Sequence, residues 1–123
     1  MDEEGVKKAL LTSENEDIEQ EIAYSLSALE ENILSALLGR QLYGLQISKA
    51  IEQASGGRRK LAVGSLYPTL RRIEHKGLVH SHWEGVDERG GARRRYYKIS
   101  AKGATALVEN QAIRKNLMEW QPV

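Results

Sequence analysis

The length, composition and charge of the chain fit one ordinary globular domain. It has 123 residues, of which 41% are hydrophobic and 28% are charged, and no cysteine. The lack of cysteine excludes disulfides, thiolate metal sites and thiol catalysis. No apolar run approaches the ~18 residues of a membrane span, and the acidic start Met1-Asp2-Glu3-Glu4 is unlike a signal peptide, so a cytoplasmic protein is expected.

The net charge of +1 conceals a strong asymmetry along the chain. Residues 1–31 contain two lysines and ten acidic residues, a net charge of −8, whereas residues 56–98 contain eleven Lys or Arg and four acidic residues, a net charge of +7. A basic middle region indicates a surface that faces a polyanion. Charge alone favours simple solvation of these side chains, so their spacing has to decide between the two interpretations.

Residues 1–25 form an acidic N-terminal extension. Two interpretations stay open for it: a dimer arm or partner-binding segment, or a solvated helix face. After it, Ser27 and Glu30 have the spacing of a capping box, which predicts a helix that starts at Ser27 and closes at Gly39.

Two short helices are predicted next, within a domain that spans residues 26–99. The first opens at Tyr43-Gly44 and ends at Ser55-Gly56-Gly57. The second, at residues 65–76, has its apolar side chains on one side and its basic side chains on the other. A glycine-containing connection followed by a helix with a basic front indicates a helix-turn-helix, in which residues 65–76 are the recognition helix.

The ends of the recognition helix follow from residue types with known preferences. Ser65 is a natural N-cap, and Gly77 stands where a left-handed C-cap would end the helix. Pro68 is tolerable in the first turn, whose N–H groups have no partner within the helix.

After Gly77 the hydrophobic period changes from that of a helix to that of a strand. Val79 to Trp83 alternates in the manner of a half-buried strand, and Arg94 to Ile99 forms a second one. The turn chemistry of residues 85–93 joins them into a β-hairpin. The predicted fold class is therefore mainly α with a small β-hairpin (α+β), a winged helix-turn-helix whose basic wing covers residues 85–95.

A last helix is predicted from the Ser100 cap to about Met118, and residues 100–123 are assigned to dimerisation. Its two halves carry apolar stripes on nearly opposite faces. The first stripe consists of Ala104, Leu107 and Val108, and the second of Ile113, Leu117 and Trp120, with Ala106 alongside. The first stripe is expected to pack on its own domain and the second on another subunit in a homodimer. Fraying of an exposed C-terminal tail is the alternative.

The expected DNA contacts combine the recognition helix with the wing. The helix contributes Ser65, Tyr67, Pro68, Thr69, Arg71, Arg72, His75 and Lys76, and the wing contributes Arg89, Arg93, Arg94 and Arg95. Arginine and lysine have the donors for phosphate oxygens or guanine edges, and hydroxyls at the helix start could bind phosphate. For Tyr67, packing beside the core is an equally good interpretation.

Other chemistry is sparse. His80, His82 and Glu84 share one side of a strand, but without a further ligand a polar strand face is a better interpretation than a metal site. No nucleophile triad, phosphate-binding loop or paired carboxylates stand out, so neither an enzyme nor a cofactor is expected.

Several motifs, in the right order, resemble the PadR-like transcriptional regulators over residues 34–107. The motifs are Tyr43-Gly44, Gly64-Ser65-Leu66-Tyr67-Pro68-Thr69-Leu70-Arg71-Arg72-Ile73-Glu74, Lys76-Gly77-Leu78 and Arg94-Arg95-Tyr96-Tyr97-Lys98-Ile99-Ser100. The resemblance implies a homodimeric winged-helix repressor of the short subfamily that binds double-stranded operator DNA. The chain departs from the family at Gly91-Ala92-Arg93, where many relatives have a proline, and in the length of its acidic extension.

The resemblance also raises the question of a small aromatic effector. In some short PadR-like members flat aromatic ligands lie between tryptophans at the dimer interface. Trp120 could act similarly, although a packing role fits it better, and Trp83 is interpreted as a core or hairpin residue. A different class of function stays open as well: a winged-helix protein-interaction module that binds a protein partner through the acidic extension.

Overall fold

The computed structural model describes residues 25–85 and 93–123. This part of the chain contains helices α1 (Ala28–Ala36), α2 (Gly44–Ala54), α3 (Val63–His75) and α4 (Ala101–Glu119), and strands β1 (Leu42–Tyr43), β2 (Val79–Trp83) and β3 (Arg95–Ile99). The strands form one antiparallel sheet in the order β1-β3-β2. The predicted fold, a winged helix-turn-helix of the α+β class, is confirmed. Among the helices described, none has the length and apolar character needed to cross a membrane.

The capping box predicted at the start of α1 is present. The Glu30 N–H donates to Ser27 Oγ at 3.1 Å, and the Ser27 N–H donates to Glu30 Oε1 at 3.0 Å. These two bonds satisfy donors that the first turn leaves without a partner in the helix. The helix ends at Ala36, slightly before Gly39, which has a φ of +76°.

Strand β1 was not predicted. It pairs Leu42 with Tyr97 and Tyr43 with Tyr96 on β3. Two residues are too few to show a strand period, so local sequence gives no signal for it. The strand fixes the position of α2, because it pairs Tyr43, the residue before α2, with β3, which follows the wing.

The core lies where α1, α2 and α3 meet the sheet and the first half of α4. Its fully buried side chains are Ile33, Leu34, Leu37, Ile47, Leu66, Leu70, Ile73, Leu78, Leu107 and Val79. The prediction that the apolar side of the recognition helix faces the core is therefore correct. Burying each of these side chains contributes about 1.5–3 kcal/mol.

The start of α3 differs from the prediction. The helix begins at Val63, after Ala62, and no side chain caps it, so Ser65 lies inside its first turn. Pro68 consequently stands in the second turn, where it cannot donate the helical bond to the Gly64 carbonyl. The helix closes as predicted at Gly77, with a φ of +78° and the Leu78 N–H bonded to the Ile73 carbonyl at 2.9 Å.

Helix α4 begins at the predicted cap, where the Gly103 N–H donates to Ser100 Oγ at 2.9 Å. A Cβ atom on Gly103 would lie 2.0 Å from the Leu78 carbonyl oxygen, so only glycine permits this approach. The contact turns Leu107 into the core together with Ala106, which was placed alongside the second stripe, and leaves Val108 63% exposed. The predicted packing of Val108 on its own domain is therefore wrong.

The second half of α4 leaves the domain surface. Arg114 forms an ion pair with Glu31 of α1, and beyond it the apolar side chains point to solvent. Ile113, Leu117 and Trp120 are 52%, 68% and 64% exposed. Trp83 is also 52% exposed, so it belongs to the hairpin surface and not to the core.

Candidate nucleic-acid interface

Helix α3 presents an exposed face directly opposite its buried side. At about 100° per residue, Pro68, Arg71 and His75 project away from the core side chains. All three are exposed. Arg71 forms no ion pair with any residue that the structure describes, so its guanidinium keeps its donors for an external partner.

On the flank of α3 that faces α1, two predicted DNA contacts are held by one carboxylate. Lys76 Nζ lies 2.9 Å from Glu30 Oε2, and Arg72 Nε lies 3.6 Å from the same oxygen. The Arg72 side chain is half exposed, whereas only 17% of the Lys76 side chain is accessible. Lys76 therefore fixes the end of α3 against α1, and Arg72 can still reach solvent.

The Glu30 carboxylate is stabilised in its charged form. Burial acts to raise its pKa, but the Ser27 N–H and the Lys76 ammonium outweigh this effect, so the pKa of Glu30 lies below its ordinary value. Glu30 is thus a charged group in the protein interior with both of its oxygens engaged.

On the other flank, Tyr67 and Glu74 face the sheet. Tyr67 is partly buried, and its hydroxyl oxygen would lie 2.6 Å from a Cβ on Gly44, so the ring packs closely on the start of α2. This contact supports the packing interpretation of Tyr67. The Glu74 Oε1 atom accepts a hydrogen bond of 2.8 Å from Arg95 Nη2 on β3.

Thr69 and Ser65, which were both predicted to contact DNA, differ in exposure. Thr69 is only 4% exposed, and its hydroxyl donates to the Ser65 carbonyl at 2.7 Å. Thr69 is therefore corrected from a DNA contact to a buried helix residue, because it lies one turn from Leu66 and Ile73 on the core side. Ser65 is exposed.

At the base of the wing, Arg93 and Arg94 are exposed and lie over aromatic rings. Arg93 donates from Nε and Nη2 to the Glu84 carbonyl and lies 5.9 Å from the centroid of Trp83. Arg94 lies 4.7 Å from the centroid of Tyr43. Such cation–π contacts hold long side chains in place while their outer donors stay accessible.

Arg95 is placed differently from its two neighbours. Its Nε donates to Ser81 Oγ at 2.9 Å, while Nη2 donates to Glu74. The guanidinium lies 5.6 Å from the Trp83 centroid and 6.0 Å from that of Tyr97. The polar bonds of Arg95 are thus made within the domain.

The exposed side of α3 and the wing strands border a cleft of about 410 Å³. Apart from Gly44 and Leu45, the residues that line it are arginines and aromatic residues: Tyr43, Tyr67, Arg71, Trp83, Arg93, Arg94, Arg95 and Tyr97. Burial raises the pKa of the Tyr97 phenol, which therefore stays neutral at ordinary pH. An open cleft with cationic and aromatic walls suits a phosphate backbone.

Some predicted features lie outside the described residues: Arg89, and all but one residue of the acidic extension. Within residues 25–85 and 93–123, no group of His, Asp and Glu could hold a metal ion. His80 and His82 are both exposed, and His82 stacks on Tyr96 with ring centroids 5.9 Å apart. Both histidines therefore lie on the solvent side of the sheet.

Sequence reasoning missed the two carboxylates that organise the site. Glu30 was assigned only to the helix cap, and Glu74 had no assigned partner. Their cationic partners, Lys76 and Arg95, are 46 and 21 positions away in the chain. No motif or periodicity links residues so far apart, so the sequence offers no signal for these pairs.

A helix-turn-helix with an exposed arginine on its second helix, beside an arginine-bearing hairpin, defines the class of winged-helix DNA-binding proteins. The chain belongs to the transcriptional regulator PadR-like family, whose model matches residues 33–109. It is therefore a transcriptional regulator of that family.

Individual relatives agree with this assignment. The transcriptional regulator Rv3488 of Mycobacterium tuberculosis is 28% identical over 72% of this chain and 77% of its own length. A PadR family regulator from Clostridium difficile is 28% identical, with a TM-score of 0.61 over 76% of this chain and 96% of that one. Bacillus subtilis PadR, solved in complex with operator DNA, shares the fold with a TM-score of 0.60 at 18% identity, over 80% of this chain and 51% of that one.

Proposed function

We propose that the protein is a homodimeric repressor that binds operator DNA through the exposed face of α3 and the wing. The observation that carries this proposal is the position of Arg71. It stands on the solvent side of α3 without an ion-pair partner among the described residues, and it borders the same cleft as Arg94. The operator complex of the Bacillus subtilis relative supports the proposal through the shared fold.

The three groups of cations have different roles in this proposal. Arg71 enters the major groove, where a guanidinium can bond both acceptors of a guanine edge. Arg93 and Arg94 approach phosphates or the minor groove from the wing. Arg72 keeps enough exposure to bind a phosphate beside α3, while Lys76 holds the helix to Glu30.

Pairing of two chains through the exposed half of α4 completes the proposed repressor. Ile113, Leu117 and Trp120 lie on one side of that half, at about 100° per residue. A two-fold axis there would repeat the recognition helix, as required for a pair of half-sites about 34 Å apart. The role proposed for Trp120 is packing in this interface, and quenching of its fluorescence by flat aromatic compounds would instead indicate an effector bound there.

The direct test is selection of genomic DNA fragments by the full-length chain, followed by sequencing and gel shifts at several salt concentrations. We expect enrichment of a two-fold symmetric site and a complex whose affinity falls steeply with salt. A scrambled duplex of the same length and composition is the control. Equal binding of the selected and scrambled duplexes would contradict sequence-specific regulation, and transcription that rises when the site is bound would contradict repression.

A further inference from the structure

The feature behind this inference is the ion pair between Arg95 of β3 and Glu74 of α3. We propose that this pair is a positioning device, which holds strands β2 and β3 at the base of the wing in a fixed position on the recognition helix, and that Arg95 does not itself bind DNA. The inference rests on the proposed DNA-binding function. It concerns how one site is assembled from two separate elements.

The first line of support is the way Arg95 uses its donors. Its Nη2 atom bonds Glu74 Oε1 at 2.8 Å, and its Nε atom bonds Ser81 Oγ at 2.9 Å. One guanidinium thus joins α3, β2 and β3. A phosphate-binding arginine would need the same planar array of donors for its ligand.

The second line of support is the state of Glu74. Its other oxygen, Oε2, is buried and has no hydrogen-bond partner among the described residues. Arg95 is therefore the cation that compensates this carboxylate. Loss of Arg95 would leave a partly buried charge without its partner, which is unfavourable.

The third line of support is the alternation of side chains along the wing strand. Arg93 and Arg95 both lie against Trp83, whereas Arg94 lies over Tyr43 on the other side. Trp83 pairs directly with Arg95 across β2 and β3. Fixing Arg95 therefore also fixes the tryptophan against which Arg93 rests.

A positioning role and a direct DNA contact by Arg95 predict opposite changes in DNA affinity when Glu74 is removed. Glu74 is an acid beside a proposed polyanion site, so its removal should strengthen DNA binding if Arg95 were a direct contact freed by the change. If the pair positions the wing, the same removal should weaken DNA binding, because Arg93 and Arg94 would no longer be held where they can reach the DNA phosphates.

The test compares Glu74→Gln, Arg95→Gln and the double variant with the wild type on the selected operator duplex and on mixed-sequence duplex DNA. We expect each single variant to lose roughly five- to tenfold in affinity on both, with no further loss in the double variant. The salt dependence should become less steep even in Glu74→Gln, which removes no cation. Arg95→Lys should lie between wild type and Arg95→Gln, because an ammonium cannot reproduce the planar two-sided contact.

Controls separate positioning from a general loss of stability. Glu52→Gln removes one partly exposed acid of α2 that has no ion pair in the described structure, and should leave binding unchanged. Ser81→Ala removes only the Ser81 bond, and should weaken binding in the same direction but less. Thermal unfolding of each variant shows that the compared chains are folded.

A readout without DNA completes the test. In a Trp120→Phe background, the fluorescence of Trp83 should become more accessible to iodide in both Glu74→Gln and Arg95→Gln. Unchanged quenching, or unchanged or tighter binding by Glu74→Gln, would overturn the positioning role while leaving the proposed function intact. Failure of the wild type to bind either duplex would instead overturn the proposed function, and this inference with it.

Discussion

At the scale of single residues, the basic side chains on and just after α3 differ in whether a carboxylate lies near them. Lys76 and Arg72 lie within 4 Å of Glu30, whereas Arg71 has no acidic neighbour at that distance in the described structure. A cation already paired gains less from a phosphate than a free one, since it must give up its first partner. The contribution to DNA affinity should therefore fall in the order Arg71, Arg72, Lys76.

Replacing Arg71 tests this order. Arg71→Ala should weaken specific operator binding by about 1–3 kcal/mol and relax specificity at the contacted base pair. Arg72→Ala should cost less and affect all sequences alike. Arg58→Ala, in the exposed loop before α3, is the matched control. Competition gel shifts against single-base operator variants measure both effects, and unchanged affinity in Arg71→Ala and Arg72→Ala would remove α3 as the recognition helix.

The buried Glu30 carboxylate makes stability depend on acid pH. Its pKa is lower in the folded than in the unfolded chain, so the stabilisation is fully present above the unfolded value, near 4.5, and is lost as the pH falls through the folded value. Glu30→Gln should lower the free energy of unfolding by about 1–3 kcal/mol at pH 7 and flatten its decline in acid. Urea unfolding at a series of pH values would check this, with Glu109→Gln as control. An identical acid profile in Glu30→Gln would contradict the role of Glu30.

At the scale of elements, the helices follow from local signals and the pairings between them do not. The caps at Ser27 and Ser100 and the break at Gly77 act within a few residues, so their positions are correct. Strand β1 is too short to show a period. The start of α3 was misplaced because a serine that resembles a cap lies inside the first turn. The ion pairs of the site depend on tertiary folding, which no spacing in the sequence encodes.

The packing of α4 provides a test at this scale. Alanine normally favours a helix over glycine by about 1 kcal/mol, but at residue 103 its Cβ would collide with the Leu78 carbonyl. Gly103→Ala should therefore destabilise the fold, by roughly 1–3 kcal/mol. Gly64→Ala in α3 is the matched control, since nothing lies within 4 Å of the added atom. Urea midpoints compare them, and an unchanged midpoint for Gly103→Ala would contradict the close approach.

At the scale of the whole molecule, the second half of α4 leaves an apolar stripe exposed to solvent at Ile113, Leu117 and Trp120. Leu117→Glu would place a charge on the stripe that we assign to the dimer. We expect this variant to be a folded monomer with much weaker operator binding. Val108→Glu, which is equally exposed on the opposite side of α4, should keep the dimer. Light scattering after gel filtration measures the mass, and a Leu117→Glu chain that still elutes as a dimer would contradict the assignment.

The contact between Gly44 and Tyr67 has a consequence for genetic screens. Any larger residue at Gly44 would push the tyrosine ring and shift α3 against α2, although Gly44 is buried and has no side chain to contact DNA. In a reporter screen for lost regulation, such alleles would cluster with those in the recognition helix and imitate direct operator contacts. Measuring the cellular abundance of each variant alongside the reporter signal would separate the two kinds of allele.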